Sequence, residues 1–345
     1  MKLELERRTL ELASPLQTSY GPVSERELWQ VAITADDGVT GYGEAAPLEA
    51  YDGVSSARVR AALESYVAVV AGHDAERMNG AQLVDACRQV ADLPQAFAAI
   101  DLALWDLAGR RRGLPVAALL TDAPAAEVPV NATLTALDRA GVARQAAAAV
   151  GAGFECVKVK VGVGDDAGRV AAARAALGPH AALRLDANGA WSVAEAVATI
   201  DALSPAGLEL VEEPTHGLRA VREVRERVAV RVAIDETAAE PGALGAGVAD
   251  AVCLKISRCG GIAGLLVAAA LVRSSGAEVY VASTFDGPLG VAAGVHAAAA
   301  LASRGPMPHC GLATLGLFAG LADPLPARAG SIAVPVGGGL GVDPL

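Results

Sequence analysis

The sequence predicts an α/β protein in which a parallel β/α barrel follows a smaller α+β domain. From about Val128 onward, short β-rich runs alternate with Ala-rich helical segments, an alternation that is typical of a parallel sheet. Seven or eight such units favour closure of the sheet into a barrel. The first third of the chain instead combines a hairpin pattern with helical periodicity. A chain of 345 residues is long enough for both units.

The first unit contains one hairpin followed by helices. Residues 29–34 alternate in hydrophobicity as a strand does, Asp36-Asp37-Gly38 is a turn signal, and residues 39–43 form the returning strand. Helical periodicity then covers residues 56–70 and 82–112. Pro94 lies inside the second span and is expected to separate two helices, because proline disrupts a helix interior.

The second unit is a series of strands, each followed by a helical pattern. The predicted strands cover residues 128–133, 156–161, 183–186, 208–212, 230–235, 251–256 and 278–283. A weaker eighth run lies at residues 310–313. The Gly- and Pro-rich tail has no helical period and is expected to pack on the first unit. We therefore expect a first domain over residues 1–124, a barrel over 125–322 and a return segment over 323–345.

The composition indicates the class of partner. With 28 Lys and Arg against 39 Asp and Glu, the formal charge is -11, which argues against nucleic acid or an anionic membrane as partner. Five widely scattered cysteines without a CxxC pair fit reduced thiols, and the N-terminus lacks the apolar segment of a signal peptide. We expect a cytoplasmic protein that acts on a small molecule and can form a homo-oligomer.

Two lysines share one face of the second predicted strand. The alternation of side chains places Val157, Val159 and Val161 on one face, and Lys158 and Lys160 on the other. In a barrel the valines face the helices and the lysines point inward, where an ammonium needs a carboxylate or a functional reason. The alternative is an edge strand with a solvated lysine face, which the apolar flanks disfavour.

Carboxylates follow at the ends of the next strands. Asp186, Glu212 and Asp235 each end a β-run, and Lys255 ends the run after them; counted from Lys160, the successive steps are 26, 26, 23 and 20 residues. Each step fits one βα unit, so the side chains should meet at the end of the barrel where such enzymes build active sites. Clustered carboxylates need a cation, and oxygen ligands suit Mg²⁺ better than zinc. One such acid alone is more often a helix N-cap.

A dinucleotide site is the rival interpretation of the same region. Residues 162–167 match G-x-G-x-x-A after a strand, and Asp186 lies where a ribose-binding acid would fall. However, Asp165 and Asp166 would repel a pyrophosphate, and the lysines and other acids would have no role. The sequence therefore favours the magnesium site.

The motifs together resemble the enolase superfamily, and specifically its muconate-lactonizing subgroup. The resemblance covers nearly the whole chain. It is carried by residues 41–48 and 99–109 of the first unit, and in the barrel by Lys158-Val159-Lys160, Asp186-Ala187-Asn188-Gly189, Glu212-Glu213-Pro214, Asp235-Glu236-Thr237 and Lys255 with Gly260-Gly261.

This resemblance implies an α+β capping domain over a (β/α)₇β modified TIM barrel. It also implies that Asp186, Glu212 and Asp235 hold Mg²⁺, with Mn²⁺ as a substitute. By similarity, Lys160 is the base that removes a proton alpha to a carboxylate and so forms an enediolate. Lys158 is expected to bind the substrate carboxylate, and Lys255 to face the substrate from the other side.

The resemblance separates the reactions of the subgroup less sharply. Residues 44–48 with Tyr51, and residues 283–290, are similar to o-succinylbenzoate synthases, which form an intermediate of menaquinone biosynthesis. The alternatives are dipeptide epimerase, N-acylamino-acid racemase, muconate cycloisomerase and a non-catalytic protein of the same fold. Asp286 resembles the second acid of the D-x-D motif with which dipeptide epimerases hold an α-ammonium, but Thr284 replaces the first. The expected substrate contacts are Tyr20, Tyr51, Asn188, Ser283 and Asp286.

Overall fold

The computed structural model describes residues 1–18, 21–73 and 79–345, without the side chains of residues 17 and 18. The chain begins with three antiparallel strands, β1 (Lys2–Thr18), β2 (Gly21–Thr34) and β3 (Thr40–Ala45), in the order β1-β2-β3. The predicted hairpin around Asp36-Asp37-Gly38 is confirmed, with Trp29 opposite Ala45 in the register. The long first strand was not predicted, and its pairing with β2 shifts register between Glu11 and Leu16.

In the part of the chain that the structure describes, five helices follow this sheet, and the two longest of them pack against one face of it. They are α1 (Glu49–Asp52), α2 (Ser56–Ala71), α3 (Gly80–Val90), α4 (Pro94–Arg112) and α5 (Val116–Leu120). Asn79 and Gln82 form a capping box that begins α3, and Pro94 stands in the first turn of α4, where its missing N–H does no harm. The prediction that Pro94 separates two helices is confirmed. Buried residues such as Val31, Leu63 and Ile100 form a core between sheet and helices.

A curled sheet of seven parallel strands forms the barrel, in the order β11-β10-β9-β8-β7-β6-β5. The strands are β5 (Ala132–Leu134), β6 (Cys156–Lys160), β7 (Ala182–Asp186), β8 (Leu208–Glu212), β9 (Arg231–Ile234), β10 (Ala251–Leu254) and β11 (Glu278–Val281). Cys310 pairs with Val130 and Gly311 pairs with Ala282, so a very short eighth segment joins the two edges of the sheet. The predicted weak eighth run has this role.

Helices surround the sheet, as the βαβ pattern predicts. They are α6 (Arg139–Gly151), α7 (Asp166–Leu177), α8 (Val193–Leu203), α9 (Leu218–Arg225), α10 (Ile256–Cys259), α11 (Ile262–Ser274) and α12 (Pro288–Ala302). Between β9 and β10 the chain forms two 3₁₀ turns, Glu236–Ala239 and Ala243–Gly245. Val157 and Val159 are fully buried towards the helices, which leaves the lysine face of β6 for the barrel interior.

The C-terminal tail connects both units. Strand β12 (Ser331–Ala333) pairs antiparallel with β4 (Glu127–Pro129), a short strand just before the barrel. Further on, the N–H of Leu340 donates to Asp106 of α4 at 2.7 Å, and the N–H of Leu345 donates to Gln30 of β2 at 3.1 Å. Over the described ranges, no helix has the length and apolar character needed to cross a membrane.

Candidate active site

Three buried carboxylates meet at the C-terminal ends of neighbouring strands. Asp186 ends β7, Glu212 ends β8, and Asp235 directly follows β9. The parallel register places Asp186 opposite Glu212, and Lys160 of β6 opposite Asp186. The three acids are only 1%, 1% and 3% exposed, so water does not screen their charges from one another. The structure therefore places the acids that the strand-end spacing predicts at one end of the sheet, with Asp186 joined to Glu212 through Lys158.

Two lysines from β6 approach these acids from one side. The ammonium of Lys158 donates to Asp186 at 2.9 Å and to Glu212 at 3.1 Å. The ammonium of Lys160 donates to Asp186 at 2.6 Å and to the side-chain oxygen of Asn188 at 2.8 Å. Burial opposes the charge on Lys158, but the neighbouring carboxylates of Asp186 and Glu212 raise its pKa above the usual range. Both side chains point into the barrel, as the alternation of β6 predicts.

Lys255 approaches from the other side, where β10 ends. Its ammonium forms a short ion pair with Asp235 and donates to the hydroxyl of Tyr51 at 2.6 Å. Burial lowers the pKa of Lys255, but the neighbouring acidic groups, Asp235 foremost, together raise the pKa overall. The hydroxyl of Tyr51, which belongs to α1 of the first unit, donates to Asp235 at 2.7 Å. A side chain of the capping unit thus takes part in the barrel site.

The chemistry of the acidic cluster fits a divalent cation. Burial raises the pKa of Glu212, and the charges of Asp186 and Asp235 raise it further, so a cation would relieve the repulsion. Ligand atoms of Glu212, Asp235 and Cys253 lie within 4.8 Å of one another. Burial also keeps the pKa of the Cys253 thiol well above its ordinary value, so the carboxylates supply the negative charge of this group. A set of carboxylate oxygens suits Mg²⁺ or Mn²⁺.

A cavity lies beside this cluster and allows the expected substrate contacts to be located. Its walls include Tyr51, Asn188 and Ser283, together with Lys160 and Lys255. Asp286 is not among the described residues that line this cavity. It is 3% exposed and accepts a hydrogen bond from the N–H of Thr284 at 3.3 Å. Tyr20, the fifth expected contact, lies outside the described residues.

Several residues of the site were not singled out from the sequence. The guanidinium of Arg258 donates to the hydroxyl of Tyr51 at 2.5 Å and to the carbonyl of Asp235 at 3.2 Å. The hydroxyl of Tyr280, on β11, donates to Glu212 at 2.7 Å. Arg258 stands one helical turn after Lys255, and this spacing could have indicated it. Tyr280 lies on a strand far along the chain, and no local signal indicates its contact.

The glycine-rich turn after β6 is occupied by the protein's own acids. The side chain of Asp166 accepts a hydrogen bond from the N–H of Gly162 at 2.7 Å, and Asp165 accepts one from the N–H of Gly168 at 3.1 Å. Free N–H groups are what a helix N-terminus offers to a pyrophosphate. In this turn carboxylates already hold these groups, which agrees with an ordinary βα connection.

Comparison with known proteins agrees with this geometry. Residues 141–345 match the family described as "Enolase C-terminal domain-like", and residues 3–121 match "Mandelate racemase / muconate lactonizing enzyme, N-terminal domain". Muconate cycloisomerase 1 from Rhodococcus opacus is 32% identical over an alignment of 349 residues, with 96% of this chain and 92% of that protein covered. An o-succinylbenzoate synthase from Thermobifida fusca is 41% identical over 203 residues, with 55% of this chain and 61% of that protein covered.

A solved structure shows the same architecture over almost the entire chain. It is the dipeptide epimerase from Enterococcus faecalis V583 complexed with Mg and the dipeptide L-Leu-L-Tyr. The TM-score is 0.89 at 27% identity, and the match covers 99% of this chain and 98% of that one. These relatives are enzymes, and both halves of the chain match the same group of families. The chain therefore belongs to the enolase superfamily, within its mandelate racemase and muconate lactonizing enzyme family.

Proposed function

We propose that this protein removes a proton alpha to a carboxylate with the help of Mg²⁺, in the dehydration that forms o-succinylbenzoate for menaquinone biosynthesis. The observation that carries the proposal is the pair of lysines on two sides of one acidic cluster. Lys160 contacts Asp186, and Lys255 contacts Asp235. A substrate in the cavity between these lysines would present one face to each of them.

The use of lysine in this chain supports proton transfer. The sequence contains four lysines, and every one except Lys2 belongs to the site, whereas arginine supplies the other cations. A guanidinium is not deprotonated in proteins, but an amine can gain and lose a proton. The cavity is therefore lined by amines, which can act as a base once they have lost a proton.

The proposed steps use each lysine differently. The ammonium of Lys158 holds the substrate carboxylate, and Lys160, as its neutral amine, takes the α-proton to become an ammonium and leave an enediolate. Lys255 stays charged and stabilises the negative oxygens, which carry more charge in the transition state than in the substrate. Lys160 then returns its proton to the departing hydroxide, so that water and the aromatic product leave. Mg²⁺ held by Asp186, Glu212 and Asp235 would supply further positive charge at these oxygens.

The loop after β11 supports the dehydration over the epimerisation. A dipeptide carries an α-ammonium, which epimerases of this subgroup hold with two acids. Thr284 replaces the first of these acids, and Asp286 is buried beside Arg26, whose charge partly offsets the rise that burial causes in the pKa of Asp286. The higher identity to the Thermobifida synthase, although over a shorter stretch, points in the same direction.

Dipeptide epimerisation remains the second candidate. It is favoured by the likeness, over nearly the full length of both chains, to the epimerase that was solved with a dipeptide. In such a reaction Lys160 and Lys255 would each exchange a proton with one face of the substrate. The geometry of the lysines serves both reactions, so the substrate has to be tested directly.

Turnover with a panel of substrates is the first experiment. We expect the purified protein with Mg²⁺ to convert the cyclohexadiene-carboxylate precursor of o-succinylbenzoate, and not dipeptides, N-acylamino acids or muconate. Lys160→Ala should abolish turnover, and Lys2→Ala should leave it unchanged, because Lys2 is an exposed lysine that pairs with Glu4. Exclusive turnover of dipeptides, or wild-type turnover by Lys160→Ala, would contradict the proposal.

Proton exchange in D₂O distinguishes the two reactions mechanistically. In an epimerase, Lys255→Ala should still exchange the α-proton of one enantiomer through Lys160, while inversion stops. In a dehydratase, removal of the proton leads on to loss of water, so no enantiomer-specific exchange should survive as a separate half-reaction. Mass spectrometry of recovered substrate measures this exchange, and exchange confined to one enantiomer would favour the epimerase.

A further inference from the structure

The turn that follows Lys255 is held from outside the barrel. After Lys255 the chain forms α10, passes through Gly260 and Gly261, and begins α11 at Ile262. Within this turn the N–H of Cys259 donates to the carbonyl of Lys255 at 2.9 Å. The backbone of Lys255 is thus part of one compact unit with α10, and displacement of α10 would displace the lysine.

Asp101 of helix α4, in the first unit, binds the far end of this turn. Its carboxylate is 5% exposed and accepts hydrogen bonds from the N–H groups of Ile262 at 2.7 Å and Ala263 at 3.3 Å. These are the first residues of α11, so a carboxylate there satisfies unpaired donors and complements the helix dipole. The acid lies 161 residues earlier in the chain than Ile262. It therefore joins the two units at the turn that carries Lys255.

Close packing of α4 against the glycines makes this contact specific. Gly260 and Gly261 have φ of +77° and +105°, a conformation that side chains rarely adopt. A Cβ at Gly260 would also overlap the ring of Phe97, and one at Gly261 would overlap the carboxylate of Asp101. The turn thus fits against α4 without free space, and a shift in α4 would be transmitted to it.

We propose that Asp101 is a positioning residue for Lys255, which it holds in place by binding the start of α11. This inference rests on the role of Lys255 in the proposed function. The side chain of Lys255 has to face Asp235 and the hydroxyl of Tyr51 at hydrogen-bonding distance, and Arg258 of α10 contacts the same hydroxyl. Without the Asp101 carboxylate the start of α11 loses its hydrogen bonds to α4, so that α10 and both cations can shift relative to the cavity.

The test compares Asp101 with a neighbouring acid on the same helix. Asp101→Ala should lower kcat about 10-fold or more, because a misplacement of ~1 Å can reduce the rate about 100-fold. KM should change less. Hydrogen–deuterium exchange should become faster in the peptide that covers residues 255–265. Asp101→Asn keeps one acceptor oxygen and should recover part of both properties.

Asp106→Asn is the matched control. Asp106 is also buried on α4, but it accepts from the N–H groups of Tyr42 at 2.9 Å and Leu340 at 2.7 Å, away from α10. This variant should lose stability without a change in kcat or in exchange over residues 255–265. If Asp101→Ala folds and keeps wild-type kcat, Asp101 is not a positioning residue. The same follows if Asp101→Ala and Asp106→Asn lower kcat equally. If Asp101→Ala does not fold, Asp101→Leu, which removes both acceptor oxygens and keeps the approximate size of the side chain, takes its place in the same comparison.

Lys255→Ala separates this inference from the proposed function. Wild-type turnover by Lys255→Ala would mean that the proposed role of Lys255 is wrong, whatever Asp101 does. Loss of turnover in Lys255→Ala together with normal kcat and normal exchange in the Asp101 variants would overturn the role of Asp101 alone.

Discussion

At the scale of single residues, Glu213 fixes the backbone that carries Asp235. Its buried carboxylate accepts hydrogen bonds from the N–H of Asp235 at 2.8 Å and from the N–H of Thr237 at 3.0 Å. His216 contacts the same carboxylate at 3.0 Å. Glu213 itself has a φ of 42°, which is uncommon for a residue with a side chain. The orientation of Asp235, the third predicted metal ligand, therefore depends on Glu213.

Glu213→Gln should weaken Mg²⁺ binding about 10- to 100-fold, as expected for loss of a group that orients a metal ligand. The physical reason is that a glutamine offers one acceptor oxygen, and its amide N–H₂ would meet donors. Calorimetric titration with Mg²⁺ measures the change. Glu209→Gln is the control, because Glu209 lies at the opposite end of β8 and binds Arg184 at 2.7 Å. Equal weakening in both variants would contradict a local role for Glu213.

Tyr51 gives a second prediction at this scale. Tyr51→Phe should lower kcat/KM about tenfold or more, since hydrogen bonds to charged groups contribute ~1.5–3 kcal/mol each. The change removes the hydroxyl that contacts Asp235, Lys255 and Arg258 but keeps the ring. Tyr66→Phe is the control, because the hydroxyl of Tyr66 donates to the carbonyl of Ala91 inside the first unit. Steady-state kinetics should distinguish the two variants. Equal kcat/KM in both would mean that the hydroxyl of Tyr51 does not contribute to catalysis.

The sequence predicts some of these residues and not others for a physical reason. Asp186 and Glu212 could be predicted because parallel strands place their carboxyl ends at one edge. Tyr280 could not, since its contact with Glu212 depends on how the sheet curls across the interior. The same limit applies to Asp286, because its burial depends on contacts between the loop after β11 and the first unit. The spacing of residues along the chain predicts which side chains meet on neighbouring strands. It does not predict which side chains meet across the interior of the barrel.

At the scale of elements, strand β3 and helix α4 approach each other closely. A Cβ at Gly43 would overlap the carbonyl oxygen of Ala99, and a Cβ at Gly41 would overlap that of Ala103. Glycine at these positions lets the helix backbone lie directly on the strand. Because α4 also carries Asp101, this close contact sets where the helix meets the barrel.

Gly43→Ala should therefore reduce the free energy of unfolding by about 1–3 kcal/mol, the range that overpacking of a core usually causes. Gly151→Ala is the control, since a Cβ there meets nothing within 4 Å and the residue ends helix α6. That variant should gain stability or stay unchanged. Urea unfolding of both variants gives the comparison. A Gly43→Ala protein as stable as wild type would show that β3 and α4 can move apart without a decrease in the free energy of unfolding.

The elements themselves were predictable to different degrees. Pro94 and the turn at Asp36-Asp37-Gly38 are local signals, and both mark boundaries that the structure shows. Strand β1 alternates in two short runs that are out of phase, with Leu3 and Leu5 in one and Leu10 and Leu12 in the other, and it is completed by pairing with β2 along most of its length. The 3₁₀ turns between β9 and β10 stand where the pattern of the barrel predicts a helix, and their short Gly- and Pro-containing segment gives no helical period.

At the scale of the whole molecule, buried polar groups hold the capping unit to the barrel. Arg26 of β2 donates to the carbonyls of Thr284 at 3.2 Å and Phe285 at 3.3 Å, both in the barrel unit. Glu44 of β3 accepts a hydrogen bond from the N–H of Gly287 at 2.7 Å, across 243 residues of sequence. The two units could be predicted from the sequence, but this junction could not, because long-range contacts of buried charges leave no periodic pattern.

The junction contains two acids that disfavour each other's charge. Burial, and after it the charge of Asp286, raise the pKa of Glu44 from 4.5 to about 8. Burial likewise raises the pKa of Asp286, and Arg26 opposes that rise. Between pH 4.5 and 8 the folded protein therefore holds a proton on Glu44 that the unfolded chain has released. The free energy of unfolding has to fall as the pH rises through this window.

The variant Glu44→Gln tests this linkage, because an amide keeps the size of a protonated carboxyl and does not titrate. Urea unfolding from pH 5 to pH 9 should show that wild type loses stability relative to Glu44→Gln as the pH rises, by on the order of a few kcal/mol at most. The two proteins should be most alike near the acidic end. Glu27→Gln, at a partly exposed position on β2, is the control and should follow the wild-type curve. If wild type and Glu44→Gln stay parallel throughout this range, Glu44 is charged in the folded protein, and the N–H of Gly287 and the side chain of Gln30 stabilise its carboxylate instead of a proton.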